Sequence, residues 1–304
     1  MNKAADLFDQ SRPDKGNYSA KDIEVLEGLE PVRRRPGMYV GGTDESGLHH
    51  LAAETLDNAM DEAVAGFATR IDVSLGDDGS LTVKDNGRGI PVDPHPKFKK
   101  QSALEVIMTT LHAGGKFGNK AYETSGGLNG VGISVVNALS EELDVEVARD
   151  RKIWRQSYKR GKPKGKLKSV GQTQNRRGTT IRFRPDPEIF GEKCRFQPDR
   201  IYRMARSKAY LYSGVEIRWN CKKKLIKGKD KTPAEEIFHF PGGLKDFLAV
   251  SLNGGKTVTP EPFVGRVVTG EEGNPDRGTV EWAVTWPVRG QNFVNSYCNT
   301  VPTL

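Results

Sequence analysis

The sequence predicts an α+β sandwich, a mixed sheet covered by helices, followed by the opening part of a second α/β unit. Three observations predict it: a long amphipathic helix from about Gly47 to Gly66, a hairpin of alternating strands directly after it, and a mostly strand-like pattern from Glu142 onward. Residues 1–20 read as an N-terminal arm, and a short helical stretch after it is broken at Pro31 and Pro36. RIDVSL places Ile71, Val73 and Leu75 on one face and SLTVKD repeats the alternation with Leu81 and Val83, the turn residues DDG joining the two. SALEVIMTTLHAGG and GISVVNALS read as helices, separated by a glycine-rich stretch too long for a tight turn. DVEVARD, KIWRQSYKR and TTIRFRP read as strands, RIYRMARSKAYLY as a helix and EIRWN as a further strand. A boundary is expected near Lys222–Thr232, giving an arm at 1–20, a first domain at 21–228 and a second at 229–304. In the second, GGLKDFLAVSLNG should be helical and GRVVTG, TVEWAVTWP and FVNSYCNTV should be strands; the chain ends directly after the last, so this unit is expected to be truncated.

Composition narrows the class. With 36% hydrophobic and 28% charged residues the 304-residue chain is globular, and no apolar run approaches the roughly 18 residues of a membrane span. The first 20 residues contain no apolar segment of secretory type, so a soluble, cytoplasmic protein with no membrane partner is expected. Cys194, Cys221 and Cys298 are far apart, which suggests neither a zinc site nor a disulfide framework. The net charge of +8 is concentrated in KRGKPKGKLK from Lys159 and KKKLIKGKDK from Lys222. Such runs are either solvated hairpin tips or contacts for DNA phosphates.

Three segments carry chemistry. On a helical wheel of about 100° per residue, Glu54, Asn58 and Asp61 share one sector, opposite Ala52, Leu56, Ala59, Met60 and Ala63. The helix has no Lys or Arg before Arg70, and its acidity reads as uncompensated within the helix, as beside a bound cation. Mg²⁺ prefers oxygen ligands, so Asn58 with phosphate oxygens suits it, while Glu54 one turn earlier could deprotonate a water. The plain alternative is an amphipathic helix with an acidic face. In VKDNGRGIP, Asp85 ends a strand and Gly87 and Gly89 allow close backbone approach; a carboxylate there could accept from the adenine amine, or the segment is a simple D-N-G turn. Finally, Gly126, Gly127, Gly130 and Gly132 precede an apolar helix, a junction whose free N–H groups suit phosphate, with a flexible linker as the alternative. Lys116 is followed by Phe117, which excludes a Walker A loop, and the absence of a glycine at Val135 excludes a Rossmann fingerprint.

The order and spacing of these segments resemble the Bergerat-type (GHKL) ATPase superfamily of gyrase, Hsp90 chaperones, mismatch-repair ATPases and histidine kinases. Within it, ETLDNAMDEAVAG, LEPVRRRPGMYVG, LHAGGKF and SGGLNGVGISVVNALS look specifically like the B-type subunits of bacterial type II DNA topoisomerases, and SYCNTVPT is similar to the topoisomerase IV branch more than to gyrase. The resemblance implies ATP and Mg²⁺ as cofactors, with Glu54 the general base, Asn58 the metal ligand and Asp85 the adenine acceptor. It implies that Asp61, Glu62, Gly87, Gly89 and Ile90 shape the site and that Thr179 lies near the adenine. Gly126, Gly127, Leu128, Asn129, Gly130, Val131, Gly132 and Ile133 would form a lid over the phosphates, with Lys116 and Tyr122 in the loop before it. Asn129 departs from the histidine usual there. Tyr18 would reach into the nucleotide site of a second copy in an ATP-dependent homodimer formed through the arm. The implied partners are DNA and a DNA-cleaving A-type subunit in a heterotetramer, and the second domain would begin a transducer. The transducer's Q-T-K lysine is not present, QTQ at Gln172 being a different segment, so the chain is expected to bind ATP, hydrolyse it weakly and cleave no DNA. The B-type subunit of gyrase or another member of the superfamily is the alternative. A histidine kinase is disfavoured because no helix with a phosphoacceptor histidine precedes the site, and a non-enzymatic DNA-binding protein would account for the basic runs alone.

Overall fold

The structure, a computed structural model, describes residues 23–114, 130–270, 278–290, 292–298 and 301–303. Two short helices, α1 (Glu30–Arg34) and α2 (Gly37–Val40), lead into the long α3 (Glu45–Val64), whose first turn is capped by the Asp44 carboxylate accepting from the Gly47 N–H. The hairpin follows as β1 (Arg70–Leu75) and β2 (Leu81–Asp85), in antiparallel register Ile71 to Asp85 and Leu75 to Leu81. Helix α4 (Ala103–Thr109) starts at a serine cap, with the Ser102 hydroxyl accepting from the Glu105 N–H. It stops short of the expected end: Thr110 is extended and His112 has a φ of 55°. Paired β-branched Thr109 and Thr110 and the glycines after His112 give the helix little reason to continue.

Helix α5 (Gly132–Ala138) leads into β3 (Ser140–Arg149) and β4 (Lys152–Lys159). Edge strands β5 (Lys162–Pro163) and β6 (Lys168–Gln172) both pair with β4, so the first basic run is a turn and an exposed edge. Strand β7 (Gly178–Pro185) crosses back between β3 and β2, and the short α6 (Pro187–Phe190) leads to α7 (Pro198–Leu211) and β8 (Glu216–Cys221). The sheet runs β5-β4-β3-β7-β2-β1-β8 and ends on β9 (Glu235–His239). Among the described residues β1 and β8 form the parallel pair in an otherwise antiparallel sheet.

One face of the sheet is apolar and covered. Leu143, Val145 and Val147 of β3, Ile181 and Phe183 of β7, Ile71 and Val73 of β1, and Ile217 and Trp219 of β8 join Leu51, Leu56 and Met60 of α3 and Ile201 and Ala205 of α7 in one core. The opposite face carries charged pairs: Arg155 of β4 with Glu146 of β3 at 2.6 Å and, at its borders, Lys164 just after β5 with Glu142 at 2.9 Å and Arg182 of β7 with Asp78 of the β1–β2 turn. Exposed pairs of this kind contribute little stability and mark the solvent side.

The domain boundary expected at residue 228 falls inside this sheet. Strand β9, expected to open the second unit, lies antiparallel on β8 with Ile217 opposite Phe238; Phe238 is buried, and the Trp219 indole N–H donates to the Pro233 carbonyl at 2.8 Å. The lysine run that suggests a linker is a short 3-10 turn, Lys223–Leu225, and an exposed loop between two paired strands. The remaining residues form α8 (Leu244–Leu252), the ribbon β10 (Phe263–Thr269) and β11 (Gly278–Val284), and the small hairpin β12 (Ser296–Cys298) and β13 (Val301–Thr303), where one strand was expected. They meet α7 through Tyr210, whose ring stacks on Phe247 at 3.7 Å and whose hydroxyl bonds that of Tyr297. No helix among the described residues is long and apolar enough to cross a membrane. The cysteines are free thiols, Cys221 buried, Cys194 half-buried and Cys298 exposed.

Candidate active site

Asp85 occupies the last inward-facing position of β2, after Leu81 and Val83 in the same alternation, so strand geometry sends a carboxylate to the buried side. It is 5% exposed. One oxygen accepts the Gly87 N–H at 2.8 Å, and both lie 3.3 Å from the Thr179 N–H. Burial pushes its pKa up to about 6 against the pull of those N–H donors, with the nearby Glu62 carboxylate adding to the rise. Thr179 in turn accepts the Ile90 N–H at 3.2 Å through its hydroxyl. Asp85, Gly87, Ile90 and Thr179 thus form one hydrogen-bonded cluster. Gly87 is required there by protein neighbours: a Cβ would stand 2.7 Å from a Glu62 oxygen and 2.9 Å from Asp85. Gly89, at φ 78°, would press a Cβ to 3.0 Å from Val147 and 3.2 Å from the Ala148 carbonyl. The two glycines therefore make room for Glu62 and β3, where the sequence alone suggests an approaching ligand.

Helix α3 links this pocket to the glycine-rich segment. Its apolar back, Ala52, Leu56, Ala59, Met60 and Ala63, is buried as expected. Glu54 and Asn58 are half-buried, and Asp61 is fully buried. A Cβ on Gly132, the first residue of α5, would fall 1.9 Å from Glu54 Oε2, so a side chain there would displace the Glu54 carboxylate from its place against the start of that helix. Glu54 also lies 3.0 Å from the His50 ring one turn earlier, a contact that raises the imidazole pKa. Two turns on, Glu62 receives the Arg88 backbone N–H at 2.9 Å and the Arg88 guanidinium at 2.8 Å. The eight residues from Glu54 to Glu62 span about 12 Å of helix axis. The Asn58 side chain between them is half-buried, and an amide oxygen is a donor of the kind a hard cation takes.

Two acidic residues of α3 beside the expected face of Glu54, Asn58 and Asp61 are paired by cations from elsewhere in the chain. Arg88 pairs with Glu62, and Lys208 of α7 lies 2.6 Å from Asp57. Burial raises the Asp57 pKa while the Lys208 ammonium works against that rise. Within-helix spacing could not reveal either cation, because each reaches α3 from a separate element. Sequence reasoning also passes over Arg149, which donates to the Gly89 carbonyl at 2.8 Å, and Gly178, which brings β7 onto the end of β2. An open basin of about 480 Å³, lined by Arg88, Arg149, Arg151, Arg176 and Arg177 among others, borders the pocket.

Of the remaining candidates, Val131 and Ile133 are half-buried against the core, and Gly130 has a φ of 60°. Tyr18, Lys116, Tyr122, Gly126, Gly127, Leu128 and Asn129 lie outside the described residues. Along α3 the structure brings together two groups, Gly132 with Glu54 at the middle of the helix, and Asp85 with Glu62, Gly87, Gly89, Ile90 and Thr179 at its C-terminal end, with Asn58 and Asp61 on the helix between them.

A one-sided sheet under helices, with a buried strand-end aspartate and a carboxylate–amide helix, defines a class of ATPase fold. The family described as histidine kinase-, DNA gyrase B- and HSP90-like ATPase matches residues 43–189. The B-type subunit of DNA topoisomerase 4 from Caulobacter vibrioides is 62% identical over 95% of this chain and 41% of that protein. Its counterpart from Rickettsia felis is 52% identical over 98% of the chain and 45% of its own length. The B-type subunit of DNA gyrase from Thermotoga maritima is 46% identical over 94% and 44%. The crystal structure of the 43K ATPase domain of Thermus thermophilus gyrase B, in complex with an aminocoumarin, superposes with a TM-score of 0.73 at 41% identity, covering 90% of this chain and 66% of that one. The chain belongs to the family of B-type subunits of bacterial type II DNA topoisomerases, and it spans less than half the length of these curated relatives.

Proposed function

We propose that the chain is the ATP-operated clamp of a type II DNA topoisomerase of the topoisomerase IV kind. The observation that carries the reading is α3 itself, a single helix that holds Glu54 against Gly132 at its middle and Glu62 beside Asp85 near its C-terminal end, about 12 Å further on. That span suits a nucleotide laid along the helix, adenine at Asp85 and phosphates at the start of α5. The ionised Asp85 carboxylate accepts from the adenine amine, and its bonds from Gly87 and Thr179 fix its direction. Asn58 would hold Mg²⁺ through its amide oxygen, the ion supplying charge neutralisation for the phosphate oxygens. Glu54, oriented by His50, takes a proton from the attacking water.

Nucleotide operates the clamp by binding the closed, dimeric state more tightly than the open one. The arm with Tyr18 crosses to the second copy, the lid from Gly126 to Ile133 wraps the phosphates, and DNA and the DNA-cleaving A-type subunit complete the assembly. The chain is assigned to the cytoplasm on the same reading. The names of its relatives, topoisomerase 4 more often than gyrase at the higher identities, support this branch over gyrase.

Glu54→Ala in the full-length protein is expected to cost roughly 10²- to 10⁴-fold in hydrolysis while a non-hydrolysable ATP analogue with Mg²⁺ still binds. Calorimetric titration alongside steady-state turnover measures both. Loss of binding, or turnover at the wild-type rate, would remove Glu54 from the role of base.

A further inference from the structure

The ion pair between Asp57 and Lys208 has no part in the chemistry described so far. Lys208 Nζ lies 2.6 Å from Asp57 Oδ1, with 5% and 15% of the two side chains exposed. On α7 the lysine takes a place in the buried stripe of Ile201, Ala205 and Ala209, the spacing that packs a helix on its neighbours. A lysine in such a stripe delivers its ammonium through the packed contact between α7 and α3. Asp57 follows Glu54 by three residues, which makes their side chains neighbours on α3, while Asn58, the next residue, projects about 100° round the helix from Asp57. A buried carboxylate without a partner is costly, and at this position it would turn toward any cation held at the front of α3.

We infer that Lys208 is a positioning residue of the nucleotide site: by holding Asp57 against α7 it keeps a further carboxylate out of the space that Glu54 and Asn58 share. The inference rests on the roles of Glu54 and Asn58 proposed above. Lys208 itself touches no reacting atom. Hydrolysis depends on it more than nucleotide binding does, because a stray carboxylate would disturb the water and phosphate geometry while leaving the adenine contacts alone.

The test uses the full-length protein with Lys208→Met, Asp57→Asn and both changes together, with thermal melting of each. Either single change breaks the pair and lowers stability, so a merely structural role would lower turnover in step with stability in both. Positioning gives a different split: Lys208→Met releases the Asp57 carboxyl from α7 and loses about tenfold or more in kcat, with the dissociation constant for the ATP analogue changed by less than about threefold. Asp57→Asn leaves no carboxylate to stray and keeps kcat within about threefold of wild type, and the double change recovers what Lys208→Met loses. Wild-type kcat in folded Lys208→Met, equal losses in both single variants, or a double variant as slow as Lys208→Met would each overturn the inference. If Lys208→Met does not fold, the other two variants decide, since a loss of about tenfold or more in either contradicts it. Glu54→Ala measured alongside keeps the two readings apart, because normal turnover there removes the base assignment whatever Lys208 does.

Discussion

At the residue scale, the role proposed for Asp85 opposes its stability. The ionised carboxylate is the stronger acceptor for an adenine amine, yet burial pushes the carboxyl pKa up to about 6 from an ordinary value of 3.8. The folded protein keeps its proton to higher pH than the unfolded chain, so stability is lost as pH rises through the window from about 4 to about 6. A shift of about two units corresponds to roughly 3 kcal/mol, an order of magnitude suited to so buried a group. Asp85→Asn removes this penalty. Without nucleotide it is expected to match wild type near pH 4 and to exceed it by up to roughly 3 kcal/mol at pH 8, followed by urea unfolding across that range. The same change should weaken the ATP analogue by roughly tenfold or more, since a hydrogen bond to a charged group is lost. A stability difference that does not vary with pH would refute burial of charge as the cause.

At the element scale, the pocket exists because β7 comes unusually close to the end of β2. A Cβ on Gly178 would sit 2.1 Å from the Asp85 carbonyl oxygen, and its φ of 111° suits glycine alone. From that approach Thr179 gains its reach to both Asp85 and Ile90. Gly178→Ala combines a backbone clash with a strained dihedral and is expected to cost roughly 3 kcal/mol or more, read from the midpoint of chemical unfolding. A loss below about 1 kcal/mol would mean that the strands can separate freely, and the pocket would then owe little to this contact. Sequence alternation located both strands but gave no hint of their adjacency. β2 and β7 are almost a hundred residues apart, and only closure of the sheet through β3 pairs them.

For the whole molecule, the extent of the sheet decides where a stable unit ends. A chain ending at residue 228 would lose β9, expose the edge of β8 and remove Phe238 from the core. Deleting a buried phenylalanine alone costs about 3–5 kcal/mol. Such a chain is therefore expected to melt well below one ending at residue 241, and equal melting temperatures would restore the boundary at the lysine run. The same sheet explains the charge pattern. A cross-strand pair such as Arg155 with Glu146 balances charge on its outer face, while the basic runs occupy an edge at β5 and β6 and the loop between β8 and β9.

The sequence by itself determined most of the elements and the segments from which the proposed site is drawn. Periodicity placed α3, β1, β2, β7 and α7 to within a few residues, and glycine and carboxylate spacing singled out Glu54, Asn58, Asp85 and Gly132. Local pattern suffices there because helix faces and strand alternation are set by residues a few positions apart. Only the tertiary structure decided which charges answer which. Arg88 reaches Glu62 and Lys208 reaches Asp57 from elements distant along the chain, and the lysine's place in an apolar stripe was the one trace that sequence offered. The same holds for Gly87, Gly89 and Gly178, whose need to be glycine comes from atoms that the fold, and not the neighbouring residues, brings against them.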